Sequence, residues 1–205
     1  KITEKQKEYI KKDISEFEQV LYGKNFSDKR IGYQAYIDMD NWVDYFIINE
    51  FAMNYDAGNL STYLYKELGG KLQLAVWDFN NGFDNYQWFR TETDVLHTVE
   101  NSWFKRLWQD ETFREHVCER YRQLRKTTLA DEHIAEKIAS YQEELGDAVD
   151  RNFKVWGYSF DEALLAGTSK DGTSRDIRSY EEAMKQLTDT IRERLAYLDK
   201  ELGGN

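Results

Sequence analysis

Proline is missing from this chain altogether, and cysteine is nearly so, with Cys118 standing alone. Without proline, the punctuation of the chain falls to glycine, asparagine and aspartate. A single thiol forms no internal disulfide, and its setting, FREHVCERYRQL, reads as a helical core position of the kind free cysteines favour. Histidine is scarce: His97, His116 and His133 lie in different segments with no partner at ligand spacing, so neither a zinc site nor a catalytic triad is spelled out. Ser61 and Ser102 lack the flanking glycines of a nucleophile elbow, which weakens a hydrolase reading. No run reaches the ~18 to 20 apolar residues that a membrane span needs. Lys1 opens an acidic, amphipathic segment unlike a signal peptide, so the start reads as that of an excised or processed chain. Basic charge is also short, 28 Lys and Arg against 38 Asp and Glu for a net charge of −10, the reverse of what a phosphate-backbone binder requires.

What is present is a globular composition, 40% hydrophobic and 15% aromatic over 205 residues, sized for one domain spanning 1–205. Ile10, Ile14, Phe17 and Leu21 predict a first helix over about 4–22, with Thr3 as its N-cap and Gly23 as its stop. Tyr33 to Ile37 reads as extended. After Asp40, the stretch NWVDYFIINEFAMN is apolar around most of its circumference and predicts a buried helix. Residues 60–66 and 72–77 read as strands joined by a tight turn at Gly69-Gly70. From about residue 100 the pattern is helical: NSWFKRLWQ, then Thr112 to Arg125 after an Asp110 cap, Asp131 to about Asn152, and Tyr180 to Leu202. GTSKDGTSRD, 167–176, reads as a surface loop. The fold class expected is α+β and mainly helical, a bundle with one β-hairpin.

The densest stretch is NYDAGNLSTYLYKELGGKLQLAVWDFNNGFDN, residues 54–85, which sets Asp56, Asn59, Asp78, Asn80 and Asp84 around the hairpin. A hairpin centred between Gly69 and Gly70 puts residue 60 opposite about residue 79, so that Asn59 and Asp78 meet at its open end with Asp56 in the loop before them. Two readings follow. Such residues cap helices and close turns. Equally, carboxylate and amide oxygens without nearby Cys or His suit Mg²⁺ or Mn²⁺ and serve zinc or copper poorly.

The order of these residues, an Asp, an Asn a few positions on, a short hairpin, then an Asp followed by an aromatic residue, is the one protein kinases use for base, metal-binding Asn and metal-binding Asp. The wording around them, IDMDNWVDYFIINEFAMNYDAGNLSTYLYK, GGKLQLAVWDFN, NSWFKRLWQDETFREHV and RERLAYLDKEL, resembles the spore coat protein H (CotH) kinase family over nearly the whole chain. The resemblance implies a kinase C-lobe-like helical bundle, with Asp56 as catalytic base, Asp78 as principal metal ligand, and Asn59, together with Asn80, as further ligands. It implies Mg²⁺ or Mn²⁺ with ATP as phosphate donor, a Ser-rich protein acceptor, and a bacterial spore-coat, cell-surface or secreted setting. Neither nucleic acid nor a membrane span is expected as a partner. The nucleotide-gripping lobe would precede Lys1, so residues 1–205 alone are expected to be inactive. Where family members commonly read Trp-Asp-aromatic-Asp with a following Gly-Asn, this chain has Asn80 at the second acid and Asp84 before Asn85. Those departures support an alternative, a catalytically silent protein-binding module of a bacterial surface or coat assembly. Two other features read as structural: FKVWGYSF, 153–160, as aromatics closing the end of a bundle, and Arg120, Arg122 and Arg125 as an ion-paired helix face.

Overall fold

In the computed structural model, residues 2–85, 91–156 and 179–204 are described. Helix α1 (Glu4–Leu21) starts at a reciprocal cap: the Gln6 N–H donates to Thr3 Oγ1 at 3.3 Å and the Thr3 N–H to Gln6 Oε1 at 2.8 Å. Only Phe17 and Leu21 of α1 are buried. The segment expected to be extended at 33–37 is instead a 3₁₀ turn, Tyr33–Ala35, and only Ile37 makes an isolated bridge, to Leu72. Local bonding explains the difference, because the Tyr33 carbonyl takes the N–H groups of Tyr36 and Ile37 at 2.9 and 3.1 Å. The turn delivers the Tyr33 ring into the core, where its hydroxyl donates to Asp110 at 2.6 Å. Burial, with Asp110 beside it, pushes that phenol up.

Helix α2 (Met39–Ala52) is buried around most of its girth, as its sequence predicts. The hairpin follows, β1 (Tyr63–Tyr65) against β2 (Gln73–Ala75), then α3 (Ser102–Leu107), α4 (Glu111–Arg125), α5 (Asp131–Leu145), α6 (Ala148–Trp156) and α7 (Tyr180–Leu202). The fold is α+β and mainly helical. Among the described residues no helix is long and apolar enough to cross a membrane. Packing divides the chain into two compact units, one of Lys1–Glu50, Asp56–Asp78 and Leu96–Val117, the other of Phe51–Tyr55, Phe79–Val95 and Cys118–Asn205.

The core of the first unit is aromatic. Trp42 lies edge-on to Phe17 at 5.6 Å and near Phe104 at 5.5 Å, while Phe46 stacks on Trp108 at 5.1 Å and meets Phe113 edge-on at 6.1 Å. Each such pair adds about 0.5–1.5 kcal/mol beyond the area it buries. The hairpin is seated on α2 through polar bonds as well: the Asn41 side chain both donates to and accepts from Leu74, at 3.1 and 2.7 Å, and Trp42 Nε1 donates to the Leu72 carbonyl at 2.9 Å. Asn41 thus occupies the outer edge of β2 as a third strand would. Both strands are shorter than the sequence suggests. The Thr62 N–H turns back onto the Leu60 carbonyl at 2.8 Å, which keeps residues 60–62 out of the ladder.

In the second unit, α7 supplies the buried face, with Ile191, Leu195, Leu198 and Leu202, from a start at which Ser179 accepts the Glu182 N–H. Arg194, wholly buried, donates to the carbonyls of Thr93 and Val95. Arg125 pairs with both Asp131 and Asp199, and Tyr121 donates to Asp199 at 2.8 Å. Burial would lower the Arg125 guanidinium, but its hydrogen bonds to Asp199 and Asp131 outweigh that and hold it above the usual range. Of the arginine face expected on α4, Arg125 is ion-paired as foreseen, and Cys118 on the same helix is half-buried. The single helix expected over 131–152 is broken between α5 and α6 at Gly146, whose φ of 41° favours glycine. A cleft of about 350 Å³ opens along Ile134, Ile138, Ile191 and Leu195. The 167–176 loop lies outside the described residues, as do residues 157–160 of the aromatic run, whose Phe153 is half-buried in α6.

Candidate active site at the mouth of the hairpin

The loop 53–62 leaves α2 at Met53, a buried residue with φ of 51° that ends the helix. One tight turn then carries both of the first two candidate residues. The Asp56 carbonyl accepts the N–H groups of Asn59 and Leu60 at 3.1 and 2.9 Å, so in these bonds main chain closes the turn. Asp56 is half-buried, and the exposed Asn59 side chain makes no hydrogen bond to any described residue. Between them, Ala57 is wholly buried and Gly58 has φ of 75°, a conformation in which a side chain would be strained.

Across the hairpin, the observed register pairs Tyr63 with Ala75, Leu64 with Leu74 and Tyr65 with Gln73. It is centred on Gly69 and not on the Gly69-Gly70 bond, so each pairing partner is shifted by one residue from the expected register. Just beyond the paired residues, a side-chain contact joins the two segments: Asp78 Oδ2 accepts the Ser61 hydroxyl at 3.2 Å. Asp78 is exposed and left-handed, with φ of 58°, a conformation that Asp adopts more readily than most residues but still at a cost. Beside it the exposed Trp77 ring meets Tyr63 edge-on at 5.5 Å.

The family model described as CotH kinase protein matches residues 1–198 of this chain. The chain belongs to the CotH kinase family. No curated protein and no solved structure matches it.

Three of the residues that the kinase order singles out in this CotH-family chain lie in its first unit: Asp56 and Asn59 in one turn, and Asp78 tied to that loop through Ser61. Their oxygens are hard donors. Among the described residues no group of three or more His, Cys, Asp or Glu is placed to hold a metal. A Mg²⁺ ion does not need one, since it is commonly held by one or two carboxylates and completes its octahedron with water and phosphate oxygens. The donor chemistry of Asp78 and Asn59 fits such an ion. Asn80 and Asp84 lie in the second unit. The Asn80 amide donates to Asn81 at 3.4 Å and its carbonyl accepts from Asn85 at 2.7 Å. Asp84 is buried with φ of 63°, a glycine-like conformation, and accepts the Thr91 N–H at 2.5 Å.

Two polar residues near the loop were not singled out in the sequence. Glu50, wholly buried in α2, accepts the consecutive N–H groups of His97 and Thr98 at 3.0 and 2.6 Å. Asn101 donates from its side-chain amide to the Ala57 carbonyl. A signal for Glu50 does exist, an acid inside the apolar run FIINEFAM. Asn101 carries none, because an Asn ahead of a helix reads as a cap. Tyr45 also faces the loop; burial raises its phenol, and the Gly58 N–H beside it acts in the opposite direction.

Proposed function

We propose that this chain contributes the base and the metal-holding residues of an atypical protein kinase that transfers phosphate from ATP to Ser or Thr of a protein acceptor. The observation that carries the reading is the Ser61–Asp78 contact, which ties the loop bearing Asp56 and Asn59 to Asp78 in a chain of the CotH kinase family. Asp56 is assigned as the base. Held in its turn by main-chain bonds, its carboxylate would orient an acceptor hydroxyl and take its proton as the bond to phosphorus forms. Asp78 is assigned as the main metal-holding residue, with Asn59 as the second. A divalent ion bound there would neutralise charge on the transferred phosphoryl group. Ser61 fixes the Asp78 carboxylate at one oxygen, Oδ2, by its hydroxyl. A secreted or coat-associated setting and a Ser-rich acceptor complete the proposal.

The test is labelled-phosphate transfer from Mg²⁺- or Mn²⁺-ATP to a Ser-rich peptide by the full-length protein, beside its Asp56→Asn and Asp78→Ala variants. Loss of the base is expected to slow transfer about 10²- to 10⁴-fold. A metal-dependent thermal shift with ATP is expected for the unsubstituted protein and is expected to be abolished in Asp78→Ala. Absence of transfer together with an ATP response that ignores the metal would leave the silent binding module as the correct reading.

A further inference from the structure

Asn101 stands at the N-cap position of α3, yet its side chain makes no capping bond. Its amide donates instead to the carbonyl of wholly buried Ala57, inside the Asp56–Asn59 turn. Contact there is close enough that a Cβ on Gly58 would come within 3.0 Å of the Asn101 Cβ. Glycine at 58 therefore answers two demands, the positive φ and the approach of Asn101. Asn101 is itself placed by its backbone, whose N–H donates to the Thr98 carbonyl at 3.0 Å and whose carbonyl takes the Lys105 N–H at 2.8 Å. Thr98 in turn is held by Glu50, which receives the His97 and Thr98 amides on separate carboxylate oxygens. A carboxylate with no exposure is costly unless hydrogen-bonded, and two backbone donors in sequence are a strong reason for its burial.

We infer that Glu50 and Asn101 are positioning residues, linked through the 97–101 segment, that hold the Asp56–Asn59 turn in its working geometry. The chain of contacts runs from Glu50 to the 97–98 amides, along one turn of backbone to Asn101, and from the Asn101 amide to the Ala57 carbonyl. Neither residue is assigned a touch on the reacting groups. The inference rests on the proposed kinase reading for its catalytic consequence and on geometry alone for the hold on the turn.

Asn101→Ala removes the donor, and Asn101→Asp keeps the shape while setting an acceptor against the Ala57 carbonyl. Because the side chain caps nothing in α3, both variants of the full-length protein are expected to fold with melting temperatures near that of the unsubstituted protein. Hydrogen exchange at the amides of 57–60 is expected to rise on the order of tenfold, the scale of one lost hydrogen bond. In transfer from Mg²⁺-ATP to a Ser-rich peptide, kcat is expected to fall about 100-fold, the cost of a small misplacement. KM for ATP should stay within about twofold, since ground-state binding is not what is lost. Glu50→Gln should move exchange and kcat in the same direction. Unchanged exchange at 57–60 in either folded Asn101 variant would overturn the inference, as would a kcat loss that merely tracks the unfolded fraction. If the unsubstituted protein transfers no phosphate, the kinase reading falls, and exchange at 57–60 alone decides whether Asn101 holds the turn.

Discussion

Helices α2 and α5 are of nearly equal length, 14 and 15 residues, and could hardly be used more differently. Most of α2 is buried, Trp42, Tyr45 and Phe46 included, whereas α5 buries no residue and leaves Tyr141 60% exposed. The contrast shows what local pattern alone is worth. Helix α5 has a clean apolar stripe, Ile134, Ile138, Tyr141 and Leu145, and α2 has almost no stripe because it is apolar nearly all round. The stronger amphipathic pattern marks the helix with less packing. It is the buried one that leads directly into the candidate catalytic loop, so the turn of Asp56 and Asn59 hangs from a well-anchored element.

Phe46 anchors α2 most strongly, touching Phe104, Trp108 and Phe113. Phe46→Ala is expected to cost about 3–5 kcal/mol by denaturant unfolding; a cost near 1 would mean that the aromatic cluster repacks and that α2 anchors less than its burial implies. Gly146→Ala comes next, at about 1–3 kcal/mol, because φ of 41° strains any residue with a Cβ. If that substitution is neutral, α5 and α6 join as the continuous helix read from the sequence. Ile138→Ala, half-buried in the α5–α7 cleft, is expected to cost about 1 kcal/mol. Tyr141→Lys is the smallest, within about 0.5 kcal/mol of neutral. A large loss there would show that the exposed stripe of α5 is covered in solution.

Much of the fold was legible because it depends on period and punctuation. Thr3 wrote the start of α1, the apolar run wrote α2, and Gly69-Gly70 wrote the turn of the hairpin. Where the reading differed, long-range or fine local bonding decided. Tyr33–Ala35 became a 3₁₀ turn around a buried phenol that bonds Asp110, 77 positions away. The strands shrank to three residues each, and β1 starts only at Tyr63 because the Thr62 N–H found the Leu60 carbonyl. At the candidate site, the order of Asp56, Asn59 and Asp78 could be read directly. Ser61 reads in the sequence only as a weak nucleophile candidate, and its hydroxyl instead bonds Asp78 just beyond the paired strands.

By itself, the sequence determined the helical class, the one hairpin, the burial of α2 and membership of the CotH kinase family, since periodicity, turn residues and motif order are local properties of a chain. Tertiary structure alone decided that the Ser61 hydroxyl bonds Asp78, why position 58 must be glycine, and that Glu50 and Asn101 lie behind the Asp56–Asn59 turn. Those are distances between residues tens of positions apart, and no local pattern encodes them: they arise only when a buried carboxylate and an amide must find donors and acceptors within reach.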